Sequence, residues 1–151
     1  MKVHKVTNRK GQAFDVLLDE DFVVDRGIHI VKGKHDKVGY AKVVVNKKDT
    51  MLHRIIMNVT DKNIQVDHIN GNTLDNRKSN LRLVNASQNC RNRKREGIYY
   101  SKKEKHWRAT ILVDGKNTYI GRSKDKEEAK KMYRLKHEEL FGEYSPWRDG
   151  K

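Results

Sequence analysis

Hydrophobicity arrives in short bursts along this chain, and none is long enough to seed a large core. VLL (16–18), FVV (22–24), IHIV (28–31), YAKVVV (40–45), LRLV (81–84) and WRATILV (107–113) are rich in β-branched residues. They are bounded by turn chemistry such as LDED, DRG, KGKHDK and Asp114-Gly115, so they predict short antiparallel strands. LHRIIM (52–57) suits a strand or a short helix, and its periodicity does not decide. The 151 residues are 35% hydrophobic and 36% charged, which implies small cores under short sheets in one ordinary domain or two very small ones.

The bursts fall into three stretches. Residues 1–50 read as a small antiparallel platform. Residues 65–95 run strand (QVDHI), polar loop (NGNTLDNRKSN), strand (LRLV), then a helix through QNCRNRKR opened by an Asn85/Gln88 capping box. Gly97 breaks the pattern and marks a boundary, giving domains of 1–96 (core about 51–96) and 97–151. In the last stretch, Ile98-Tyr99-Tyr100, WRATILV and NTYIG (117–121) are strands, with Asp114-Gly115 as a tight hairpin. Asp125 and Glu128 cap a helix that runs to about Phe141 and stops at Gly142. Ala129, Met132, Tyr133 and Leu140 share the face expected to cover the sheet. The fold class is α+β.

The net charge is +14, and residues 1–66, 67–96 and 97–151 are each net positive, so the whole molecule is expected to face a polyanion. Cys90 is alone, which excludes an internal disulfide and a multi-cysteine zinc knuckle and fits a reducing cytosol. No apolar stretch approaches the roughly 18 residues of a membrane span, and no apolar signal segment opens the sequence. A cytoplasmic location and no membrane partner are expected.

Chemistry concentrates between residues 67 and 95. Asp67 and His68 are adjacent, and Asn80 and Asn89 follow. A neutral histidine is a base available at physiological pH, and a carboxylate with an amide oxygen suits a hard divalent ion better than zinc. Neighbours on a strand point to opposite faces, so the two serve one site only if the strand ends or twists there, as Gly71 allows. Asn89, on the following helix, can return to the same ion, and Asn80 suits bracing the loop. Taken singly, each of these residues is an ordinary turn or cap residue. His53 reads by default as a packed or hydrogen-bonded histidine. Arg54 and Arg82 suit either phosphate contact or surface pairing.

HR (53–54), VDHINGN (66–72), DNRKSNLR (75–82) and QNCRNR (88–93) together resemble the HNH nuclease family, most closely its phage homing endonucleases. The resemblance implies a ββα-metal core with His68 as general base, Asp67 and Asn89 as metal ligands and Asn80 as the structural asparagine. It implies one divalent ion, Mg2+ with Mn2+ possible, and no structural zinc. Many members carry a histidine at the last ligand position, where this chain has Asn89. A site-specific homing endonuclease acting on double-stranded DNA follows, in a phage or bacterial host cytoplasm. One core per chain implies nicking by a monomer or a weak dimer. The rival is a non-catalytic DNA-binding regulator on a degenerate HNH module; an RNA-binding protein is a further alternative.

Arg91, Arg93, Lys94 and Arg95 suit contact with a phosphate backbone. On the 106–113 strand, Trp107, Ala109, Ile111 and Val113 alternate with His106, Arg108, Thr110 and Leu112. The second set, with Asn117 and Tyr119 on the partner strand, is either a polar sheet face or a DNA-reading one. GIYY, KHWRATI, TYIG, EEAKKMY and GEY resemble the plant ethylene-response-factor (Apetala-type) domain over residues 97–145. That resemblance implies a sheet docked in the major groove. Tyr99, Thr110 and Asn117 stand where plant members place base-reading arginines.

Overall fold

The computed structural model describes residues 1–8, 10–25, 27–33 and 38–148; His35 and parts of the DRG and KGKHDK turns lie outside them. The chain divides into two compact units, Met1–Asn89 and Cys90–Lys151. The fold is α+β, with small antiparallel sheets and few helices.

The first unit opens with the hairpin β1 (Lys2–Thr7) and β2 (Ala13–Leu18). β3 (Ile28–Val31), β4 (Tyr40–Val45) and β5 (Lys48–Met51) form a three-stranded sheet that leads into α1 (Leu52–Ile56). β6 (Gln65–His68) and β7 (Leu81–Val84) pair antiparallel, and α2 (Ala86–Arg91) follows. The capping box is reciprocal: Asn85 N donates to Gln88 Oε1 and Gln88 N to Asn85 Oδ1, both at 2.9 Å. LHRIIM resolves as a helix, since Leu52, His53 and Ile56 turn one face inward.

Two expectations fail between residues 22 and 95. FVV (22–24) is not a strand: Phe22 N closes a turn onto Asp19 O, Phe22 and Val24 pack at the core edge, and Val23 is exposed. The helix expected through Arg95 ends at Arg91, where repulsion within the basic run gives no reason to continue it. Two strands escape sequence reading, because β1 and β5 carry charges where an apolar run would mark them. β4 and β5 meet at a tight turn with positive φ at Asn46 (50°) and Lys47 (64°), a mirror-image hairpin turn built without glycine.

Val16 and Leu18 are fully buried in a core shared with Val6, Ala41, Val43, Leu52, Val66 and Leu81. β2 also grips a distant loop. Leu17 N donates to Leu74 O and Asn76 N to Leu17 O, both at 2.9 Å, so the N-terminal hairpin anchors the β6–β7 connection.

In the second unit, β8 (Ile98–Ser101), β9 (His106–Val113) and β10 (Lys116–Ser123) form a sheet in the order β10-β9-β8, packed under α3 (Lys126–Phe141). Asp114 (φ 48°) and Gly115 (φ 78°) make the expected two-residue hairpin. Asp125 Oδ1 accepts from Glu128 N at 2.7 Å. The Glu128 carboxylate takes the Ser123 hydroxyl, whose oxygen accepts from Asp125 N at 3.0 Å, so serine relays the return half of the box. Gly142, at φ 47°, ends the helix.

Ala109, Ile111, Ala129, Tyr133 and Trp147 are buried. Leu140 does not cover the sheet as expected but is 39% exposed. Trp147 instead closes the end of α3 by stacking edge-on against His137 and Tyr133, at 4.9 and 5.5 Å. A Cβ on Gly97 would lie 2.2 Å from Thr110 O and 2.9 Å from Tyr133 Cε2, while Gly97 O accepts from Thr110 N. Gly97→Ala should therefore cost about 1–3 kcal/mol, measured as a lower denaturation midpoint by tryptophan fluorescence. Both tryptophans, 107 and 147, belong to this unit, so fluorescence follows it alone.

Burial, with Arg91 nearby, pushes His137 down to about 4 from 6.5. Between those values the unfolded chain binds a proton that the folded one does not. Stability is complete above pH 6.5 and is lost as pH falls toward 4, by up to ~1.4 kcal/mol per pH unit. His137→Phe should flatten this acid slope in fluorescence-monitored melts; an unchanged slope would refute the assignment.

Candidate active site

β6 ends on the two residues of greatest chemical interest. Asp67 pairs in register with Arg82 on β7. Arg82 Nε and Nη2 donate to Asp67 Oδ2 at 3.0 and 2.8 Å, and both side chains are largely buried. Arg82 is thus a partner of the candidate ligand and fixes its orientation. Arg54 also has a structural role, donating to Ile64 O and Asp61 O at 2.7 Å.

His68 is the last residue of β6, where the strand ends, and is 4% exposed. Its ring meets His53 edge-on at 5.1 Å, and Tyr40 lies 6.2 Å away. Burial lowers the His68 pKa, outweighing the Asn76 amide and the Asp67 and Asp75 carboxylates, which favour the charged form. His53 is also buried, and desolvation, His68 and Arg54 push it down to about 4. The pair is therefore neutral at physiological pH. His53 is a packed histidine, as its default reading holds, and its place against His68 was not legible in the sequence.

The loop after His68 is built from side-chain amides. Gly71, at φ 73°, donates its N–H to His68 O at 2.8 Å. Asn70 Oδ1 accepts from Asn72 N, and Asn72 Oδ1 from Leu74 N. Asn80 spans the loop mouth: Oδ1 accepts from Asn70 N at 3.0 Å, Nδ2 donates to Asp75 O at 2.8 Å, and its carbonyl accepts from Ile69 N. These contacts suit a brace.

Asp75, which sequence reading did not single out, anchors the same loop at 1% exposure. It accepts from Asn70 Nδ2 at 2.9 Å and from Arg77 Nε and Nη2 at 2.7 and 2.6 Å. The Arg77 guanidinium holds its carboxyl below the usual carboxylate range.

Asn89 returns from α2 to β6, where its Nδ2 donates to Gln65 Oε1 at 2.7 Å. Gln65 lies two residues before Asp67, on the same face of the strand. The carboxylate of Asp67 and the amide oxygen of Asn89 are hard donors serving one side of β6, a set that fits a magnesium-like ion. Among the described residues, no three His, Cys, Asp or Glu side chains gather as a metal site. An ion here would rest on that mixed pair, with most positions left to water and substrate.

In the second unit, Arg91 stacks over Phe141 at 4.5 Å, whereas Arg93, Lys94 and Arg95 are exposed beyond the helix. Tyr99, Arg108, Thr110, Asn117 and Tyr119 do share one sheet face. Arg108 is opposite both Tyr99 and Arg122, Thr110 opposite Tyr119, and Leu112 opposite Asn117. The irregularity between Tyr119 and Gly121 brings Arg122 onto this face, a placement that strict alternation could not reveal. Glu104 grips Arg108 through two bonds of 2.9 and 2.7 Å and lies 3.8 Å from Arg122. Among the described residues, no helix is long and apolar enough to cross a membrane.

The family model for HNH endonuclease matches residues 51–91, the stretch from the end of β5 through α2. An uncharacterized HNH endonuclease, L560, of Acanthamoeba polyphaga mimivirus is 34% identical over 103 residues, covering 62% of this chain and 54% of that protein. The chain thus spans about half the length of that relative. Protein 3.8 of Escherichia phage T7 is 32% identical over 95 residues, covering 58% of this chain and 78% of its own length. No solved structure matches significantly. Asp67, His68, Asn80 and Asn89 all lie inside the matched stretch, so residues 51–91 of this chain carry an HNH endonuclease domain.

Proposed function

We propose that this chain is a site-specific DNA endonuclease of the homing type, hydrolysing a phosphodiester bond with His68 as general base. One observation carries the reading: Asp67 and His68 end β6 side by side, His68 buried and neutral, while Asn89 returns to Asp67's face through Gln65. Neutral His68 takes a proton from water on its imidazole as that water attacks phosphorus, and the P–O3′ bond breaks. A divalent cation held by Asp67 and Asn89, Mg2+ or Mn2+, supplies charge that offsets the phosphate and the departing oxygen. Arg82 keeps the Asp67 carboxylate aimed, and Asn80 keeps the loop beside His68 closed.

Arg93, Lys94 and Arg95 are proposed to meet the backbone of double-stranded DNA, and Arg91 to support that segment from its stack on Phe141. The Tyr99/Arg108/Thr110/Asn117/Tyr119 face is proposed to read the major groove in the manner of an ethylene-response-factor domain. The support is its three-stranded sheet with one packed helix. One core per chain is proposed to nick one strand, and the homing assignment rests on the resemblance of VDHINGN, DNRKSNLR and QNCRNR to phage homing endonucleases. Supercoiled plasmid should become nicked circle with Mg2+ or Mn2+, and chelation should stop the conversion. A plasmid left supercoiled with every divalent ion would overturn the reading.

A further inference from the structure

We infer that Gln65 is a positioning residue that turns the side-chain oxygen of Asn89 toward the metal. The inference rests on the reading above and deepens it.

A side-chain amide carries a donor and an acceptor of nearly equal size on opposite sides of one carbon. A half-turn about the last bond exchanges them. The nitrogen repels a cation and the oxygen binds it, so an asparagine ligand works only if something fixes that turn. Gln65 Oε1 does so, because a carbonyl oxygen accepts only from Nδ2, here at 2.7 Å. Among the described residues, that is the single hydrogen bond of the Asn89 side chain, which leaves its oxygen for another partner. The Asn89 backbone is held independently, with N donating to Asn85 O at 3.0 Å, so Gln65 governs the amide rather than the helix. Gln65 also shares Asp67's face of β6 two positions away. The strand bearing one ligand therefore sets the orientation of the other. Aspartate at position 89 would need no such help, since either oxygen can bind.

The test is Mn2+ binding to the full chain, followed by electron paramagnetic resonance, with thermal melts as a check on folding. Gln65→Leu should weaken Mn2+ binding by about 10-fold or more, within the range for lost outer-sphere partners. The Mn2+ concentration giving half-maximal plasmid nicking should rise with it, and the rate should recover toward wild type as Mn2+ is raised. Gln65→Glu keeps the acceptor and should restore binding. In an Asn89→Asp background, Gln65→Leu should cost nothing further. Equal Mn2+ affinity in wild type and Gln65→Leu would overturn the proposal and leave the ligand assignment standing. An undiminished loss in the Asn89→Asp background would also overturn it, marking Gln65 as merely structural. Failure of the underlying reading is distinct: wild type would bind no Mn2+, or Asp67→Asn would bind it as well as wild type.

Discussion

Replacing His68 with alanine should slow DNA nicking about 10²–10⁴-fold, the usual contribution of a positioned general base. Affinity for duplex DNA should stay near wild type, because the surfaces proposed to hold DNA lie on the exposed basic run and the second unit's sheet. The effect belongs to proton transfer and not to metal affinity, since Asp67 keeps its Arg82 bonds. The vacated space borders His53 and Tyr40, so alanine also opens a cavity. His68→Asn fills much of that space without supplying a base. It should be as inactive as alanine and melt closer to wild type. Single-turnover nicking and gel-shift titrations measure the two properties separately. Nicking by His68→Ala at the wild-type rate would remove histidine from the chemistry.

Asp75→Ala should destabilise the first unit by roughly 3 kcal/mol. The low end of the range for a broken buried pair applies because the Arg77 side chain is 33% exposed and can turn to water. Asn70 Nδ2 loses its partner as well, and Asn70 N is the group that Asn80 Oδ1 holds. The change should loosen the loop beside His68 and lower nicking along with stability. At about 4–8 °C per kcal/mol, the melting midpoint should fall by more than ~10 °C. Circular dichroism, which follows the backbone of both units, measures the loss, since tryptophan fluorescence follows only the other unit. Asp75→Asn keeps the acceptor for Asn70 and should lose less. A midpoint within 2 °C of wild type for alanine would show that the network is not the loop's anchor.

Local chemistry was legible in this sequence and distant pairing was not. Asp114-Gly115, the Asn85/Gln88 box and the Asp125-to-Gly142 helix each depend on residues within a turn of one another, and each forms as expected. The Asn46-Lys47 hairpin was hidden because neither residue announces a left-handed turn as glycine would. FVV was misread because apolar content alone does not supply a pairing partner. The end of α2 was misplaced because a capping box starts a helix without saying how far like charges let it run. In the site, Asp67, His68, Asn80 and Asn89 stood out by type and spacing. Arg82 on Asp67, Gln65 on Asn89 and His53 against His68 are pairings 15, 24 and 15 residues apart, set by the β6–β7 register and by α1 and α2 packing.

The central claim is that this chain hydrolyses DNA with His68-activated water, releasing the 3′ oxygen. Nicking in water enriched in oxygen-18, followed by mass spectrometry of the broken ends, tests it most directly. Wild type with Mg2+ should place the label on a 5′-phosphate opposite an unlabelled 3′-hydroxyl, while His68→Ala leaves the plasmid intact over the same period. A 3′-phosphate, an unlabelled end, or equal cutting by His68→Ala would contradict it.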